Sequence, residues 1–160
     1  MAMHQLDITA DKISAKFPQL REYINDLNSI RETPVRITLA VEDDITHGIA
    51  IWEPGNLIYL VVAEGSRRFG VGSFLLQYVQ LNSDRQMVTC RVHPSNIDGL
   101  CFFSKKGYQI DRWYIASDSR RYFRMTNGNV VSSYAPPEEG YLVDFIENTP
   151  IFLSVADKIY

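Results

Sequence analysis

Arg67, Arg68, Gly70 and Gly72 stand between two apolar segments within LIYLVVAEGSRRFGVGSFLLQYVQL, residues 57–81. Residues 57–62 are uniformly apolar and rich in β-branched types, the composition of a buried strand. Beyond the glycines, Val71, Leu75, Tyr78 and Val79 share one face at helical spacing. A strand, a glycine turn and a helix in that order aim free backbone N–H groups and the positive end of a helix dipole at an anion. Gly70 and Gly72 permit close backbone approach and positive φ, and the two arginines add fixed charge. Residues 67–73, with Phe69, Val71 and Ser73 between and after these groups, read as a pyrophosphate cradle. The plainer alternative is an ordinary strand-to-helix turn with two exposed arginines.

The residues decide between kinds of cradle. A dinucleotide fingerprint needs glycine at position 75, which is Leu75, and a P-loop starting at Gly65 needs lysine where Val71 stands. The pattern R-x-x-G-x-G does match, as Arg67, Gly70 and Gly72. It resembles the acyl-CoA pyrophosphate loop of the GCN5-related N-acetyltransferases, the GNAT family. A second run, Val92, Asn96, Gly99, Phe102-Phe103 and Gly107-Tyr108, is similar to that family's V-x-x-x-N-x-x-A-x-x-F-Y-x-x-x-G-F signature at every offset, with Gly99 for the usual alanine. The resemblance covers residues 5–127. It implies an α/β (α+β) domain of GNAT fold: a central mixed, mostly antiparallel sheet flanked by helices, here followed by a C-terminal extension.

The resemblance also implies a division of labour. The strand before the glycine loop and the one after it part at their ends, and the pantetheine arm lies between them. Val61, Val62 and Ala63 inherit the pantetheine contact, and Asn96 a cofactor contact at the start of the next helix; a plain N-cap is the alternative for Asn96. Phe103 lines the same channel where many members carry a tyrosine that protonates the departing thiolate. Its plainer reading is core. A thiol of pKa about 8.5 is already a tolerable leaving group, so loss of that hydroxyl should slow the reaction more than forbid it, and water, Tyr108 or Tyr114 could substitute. The attacking amine must also lose a proton. His93 and Glu64 are the candidate catalytic bases, with Glu53 also near; as alternatives, His93 is a solvated loop histidine and Glu64 faces solvent. No nucleophile elbow is present, and His4, His47 and His93 lack metal-ligand spacing, so no metal is expected.

The elements that must position these groups follow from the patterning. Residues 6–9 alternate as a first strand. A helix through Ile13, Phe17, Leu20, Tyr23, Ile24 and Leu27 is split by Pro18. Residues 35–41 and 47–52 read as strands around the acidic turn 42–44, and Pro54-Gly55-Asn56 turns the chain into the strand at 57–63. After the loop and its helix come a strand at 87–92, a helix at 96–106 ended by Gly107, and a hairpin of 108–116 with 121–125.

At 160 residues the chain is expected to form one domain, residues 1–127, with residues 128–160 packing on the core or on a partner subunit as in a homodimer. Residues 141–146 and 151–155 are too apolar to remain solvated. No apolar run approaches a membrane span, and the N-terminus lacks a signal-peptide core. Cys90 and Cys101 fit no redox or metal spacing, so a reduced cytoplasmic location is expected. Residues 67–127 hold ten Lys/Arg against four Asp/Glu, whereas the two flanks hold six against fifteen. A basic centre suits a polyanionic ligand, and the overall charge of −3 weighs against nucleic acid. The implied activity is direct transfer of an acetyl group from acetyl-CoA to a primary amine on a small molecule or peptide. A non-catalytic acyl-CoA-binding or protein-interaction module is the rival, favoured by Phe103 and by the absence of a carboxylate at residues 56–59.

Overall fold

The short apolar runs bounded by turn residues fold as strands. β1 (His4–Ile8), β2 (Arg36–Glu42), β3 (Ile45–Glu53) and β4 (Asn56–Val62) form an antiparallel meander. β5 (Thr89–Val92) lies parallel to β4, and β6 (Gln109–Ile115) and β7 (Arg121–Thr126) extend the sheet. A two-residue β8 (Glu138–Glu139) runs parallel to β6, giving the order β1-β2-β3-β4-β5-β7-β6-β8. The helices are α1 (Pro18–Ser29), α2 (Val71–Leu81) and α3 (Ile97–Lys105). This computed structural model describes residues 2–14, 17–63, 65–66, 69–115, 121–128 and 138–139. The expected C-terminal runs at 141–146 and 151–155 lie outside the described residues.

Alternation sorts the side chains into two layers. Ile37, Leu39, Ile49, Ile51 and Tyr59 face α1, where they meet Leu20, Tyr23, Ile24 and Leu27. Ala40, Ala50 and Trp52 point to the opposite face, against Val71, Leu75, Leu76 and Val79 of α2. The small residues in this second set matter, because they bring α2 close to the sheet. Gly48 is the tightest point: a Cβ there would lie 2.8 Å from Val71 Cγ1 and 3.1 Å from Leu75 Cδ1.

Local chemistry fixes the boundaries. Asp43 and Asp44 adopt φ of +51° and +64°, the left-handed pair that a two-residue hairpin demands and aspartate tolerates. Pro18 does not interrupt a helix but starts one, since its missing N–H is one of the orphans of a first turn. Ahead of it the expected helix is a single 3₁₀ turn, Ala10–Lys12. The strand expected at 87–92 begins only at Thr89, after a 3₁₀ turn at Asp84–Gln86.

Candidate active site

The site is a parting between two strands, and a β-bulge accompanies it. β4 and β5 pair only at Asn56 with Thr89 and at Leu57 with Cys90. On the other side of β4, Tyr59 sits opposite Ile51 but Leu57 sits opposite Trp52, so Ile58 is an extra residue. Such a bulge bends its strand and sharpens the twist. It also resets the alternation: Leu57 packs with α2, Ile58 and Tyr59 both pack with the α1 layer, and Leu60 returns to α2. Beyond the bulge β4 leaves β5. The Ala63 N–H donates to the His47 carbonyl at 2.7 Å. By antiparallel alternation, Val61 and Ala63 therefore spend their backbone groups on β3, while those of Leu60 and Val62 turn toward the parting. Of the expected pantetheine contacts, Val62 is so placed, and Leu60 joins it.

The glycine loop sits at the open end of that parting. Its start is pinned inside the protein: Ser66 Oγ lies 2.8 Å from His47 Nδ1, both residues buried, and the Ser66 N–H donates to the Ala63 carbonyl. His47 is itself an extra residue of β3, because Ala40 faces Gly48 while Val41 faces Thr46. Phe69 is 56% exposed. Gly70 precedes α2 with φ of +70°, and among the described residues no side chain caps the helix. The first N–H groups of α2, at Val71, Gly72 and Ser73, have no intrahelical partner and face outward with the positive end of the dipole. Gly72 keeps this turn close to the site: a Cβ there would lie 3.2 Å from the Phe102 ring and 3.7 Å from Val62. Glu64, Arg67 and Arg68 lie outside the described residues.

A cavity of about 130 Å³ occupies the parting, lined among others by Tyr59, Leu60, Arg91, His93, Asn96, Phe103 and Tyr122. Phe103 is 8% exposed and packs on Phe102 and Tyr108 at ring separations of 5.1 and 5.4 Å. It is core on one side and cavity wall on the other. Asn96 caps α3, its Oδ1 accepting from the Gly99 N–H at 3.0 Å. That explains Gly99, since a Cβ there would come within 2.7 Å of Asn96 Nδ2.

His93 is half-buried at the end of β5, and its ring meets Tyr122 edge-on at 5.4 Å. Its Nδ1 accepts the Ser95 N–H at 3.1 Å and lies 2.6 Å from Ser95 Oγ. A ring nitrogen that accepts from a backbone N–H carries no proton, which leaves Nε2 as the ring's N–H. In this arrangement His93 Nδ1 is taken up locally by Ser95.

The remaining candidates separate clearly. Burial works against the charge on Glu53, but hydrogen bonds from Arg31 and Asn56 outweigh it and hold the carboxyl below its usual range. A carboxylate so held is a weak base. The Tyr108 hydroxyl donates to Gln80 at 2.7 Å, and burial raises its pKa. The side chain of Tyr114 lies outside the described residues. Tyr122, which the sequence did not single out, is the tyrosine of β7 on the cavity wall. Cys90 lines the cavity too, but burial pushes its thiol up to about 12, so it stays protonated near neutral pH.

No family model matches the chain, and no curated protein does. Solved structures do match in fold. Ard1 from Thermoplasma volcanium is 19% identical with a TM-score of 0.58, over 79% of this chain and 97% of that one. A protein from Desulfovibrio desulfuricans, assigned as an acetyltransferase of the GNAT family, is 14% identical with a TM-score of 0.62, over 81% and 100%. Naa50 from Arabidopsis thaliana, in complex with the bisubstrate analogue CoA-Ac-MVNAL, is 17% identical with a TM-score of 0.55, over 81% and 100%. The chain has the GNAT fold, with the parted strands and the glycine loop in register with the motifs of its sequence. Among the described residues, no helix is long and apolar enough to cross a membrane.

Proposed function

We propose that the chain is an N-acetyltransferase that moves an acetyl group from acetyl-CoA directly to a primary amine. The observation that carries this reading is the parting of β4 and β5 in front of an uncapped helix N-terminus. The donor set fits the coenzyme. The N–H groups of Val71, Gly72 and Ser73 would hold the pyrophosphate, with Arg67 and Arg68 adding charge from the same loop. The backbone of Leu60 and Val62 would bind the amide groups of the pantetheine arm, and Phe103 and Val92 would exclude water around it. Naa50, solved with an analogue joining coenzyme A to a peptide, supports amine transfer on this fold.

Within the cavity, this chain's residues supply polarisation more than covalent chemistry. The amine forms a C–N bond to the acetyl carbon as the C–S bond breaks, the electron pair leaves on sulfur, and the amine's proton passes to solvent or to that sulfur. His93 Nε2–H is the donor best placed to stabilise charge developing on sulfur or on the acetyl oxygen. It fills the part left vacant by the missing hydroxyl of Phe103. An acyl-enzyme route has little support: the one cysteine on the cavity wall, Cys90, is held as an unreactive thiol. Phe103 is also what favours the rival, a binding module without turnover.

Calorimetric titration with acetyl-CoA tests the reading first. One saturable site, competed by free coenzyme A, is expected. Failure of both to bind would overturn it.

A further inference from the structure

α3 ends on two exposed lysines, Lys105 and Lys106. A cation there complements the negative end of the helix dipole, and Lys105, in the last turn, already does so. Lys106 follows as the C-cap. Long side chains on a helix fold back over the preceding turn, and that of Lys106 lies over Phe102, its Nζ 5.9 Å from the ring centroid. Among the described residues no carboxylate pairs with this ammonium.

Phe102 connects the lysine to the glycine loop. Its outer carbons Cε1 and Cζ stand beside Gly72, where a Cβ would come within 3.2 and 3.3 Å of them. Gly72 carries one of the unpartnered N–H groups that open α2. The ring is therefore a wall between that turn and Lys106, touching the turn with its rim and the cation with its face. It is half-buried and packs against the layer under α2, so the wall is fixed while the lysine stem can swing along it. A diphosphate seated on the first turn of α2 stays on the Gly72 side of the wall, out of contact with the ammonium.

Coenzyme A carries one more phosphate, a monoester on the 3′ oxygen of the ribose that follows the diphosphate, close to doubly charged at neutral pH. We propose that Lys106 receives this 3′-phosphate across the Phe102 ring. The proposal rests on the reading of the parted strands as an acetyl-CoA site. The ammonium is a compact point charge with three donors, suited to a phosphate monoester that presents no fixed plane. The amides of α2 and the loop arginines serve the diphosphate, and Lys106 adds the one cation set apart from them on the facing helix. The site thereby prefers the free coenzyme to pantetheine carriers that lack the third phosphate.

Calorimetric titration with coenzyme A and with 3′-dephospho-coenzyme A tests this without turnover, because the two ligands differ in that phosphate alone. Wild type should bind coenzyme A about fivefold more tightly. In Lys106→Gln the ratio should fall to one through weaker coenzyme A binding, with the affinity for the dephospho ligand unchanged. Lys106→Arg should keep most of the preference, and Lys105→Gln, which removes the dipole's cation, should keep all of it. A ratio of one in wild type, a ratio untouched in Lys106→Gln, equal weakening of both ligands in that variant, or the same loss in Lys105→Gln would each overturn the proposal. If both ligands bind wild type equally, only the assignment of Lys106 is wrong. If neither binds, the acetyltransferase reading falls and takes this proposal with it.

Discussion

Residue 70 allows the charge and the backbone of the loop to be tested apart. Gly70 precedes α2 at φ of +70°, and a Cβ there would meet nothing within 4 Å. Aspartate and asparagine are the residues that tolerate this conformation best, and both carry a shared strain of about 1–2 kcal/mol. Gly70→Asn therefore reports the backbone cost, and the difference between Gly70→Asp and Gly70→Asn reports the charge alone. A carboxylate at this position would stand about 5 Å from a phosphate bound to the first turn of α2. At an effective dielectric of about 20, one pair of unit charges at that distance costs about 3 kcal/mol, roughly 200-fold in Kd. Titration calorimetry with acetyl-CoA reads both variants, with thermal melts as the fold control. The penalty should shrink with salt, because the screening length falls from about 10 Å at 0.1 M to about 3 Å at 1 M. Equal affinities in the aspartate and asparagine variants would refute the placement of the pyrophosphate at this helix end.

Other outcomes follow from the packing and the cavity. Gly48→Ala should lift the first turn of α2 off β3, costing about 1–3 kcal/mol of stability and weakening acetyl-CoA in the same variant; an unchanged melt and affinity would show that α2 is not pressed onto Gly48. Thiol labelling of the native protein should modify Cys101, which is exposed, and spare Cys90. Since burial raises the folded pKa of Cys90 to about 12, unfolded chains ionise first, and stability should decline as pH rises from the ordinary thiol range toward 12; a flat alkaline limb in the Cys90→Ser difference would contradict this. Phe103→Tyr should hold or raise turnover, and His93→Ala should lower it by roughly 10²-fold with acetyl-CoA affinity little changed. Loss of affinity without loss of turnover would reverse the roles given to them.

What the sequence made legible was local. The glycine loop, α2 and α3 are read from contiguous residues, and the motifs around Gly70 and Asn96 fall where those elements begin. What it hid depends on pairing between distant strands. The extra residues Ile58, His47 and Asp111 have no signature of their own, because a bulge exists only relative to the strand opposite. Hence the alternation that turns Leu60 rather than Ala63 toward the parting could not be read from the apolar run 57–62. The His47–Ser66 contact that pins the loop joins residues 19 positions apart. Tyr122 reaches the cavity only because β7 inserts between β5 and β6. The contact at His93 is nearer in the chain: Ser95, two residues on, donates its N–H to Nδ1, which no residue pattern announces.

We propose that amine acetylation runs in a ternary complex. Initial rates of thiol release, with acetyl-CoA and a panel of amines and peptides varied together, test it most directly. Intersecting rate patterns are predicted, with the acetyl group recovered on the amine and none on the protein. Tight acetyl-CoA binding with no thiol release above background on any acceptor, in wild type and in Phe103→Tyr alike, would contradict the claim and leave a binding module in its place.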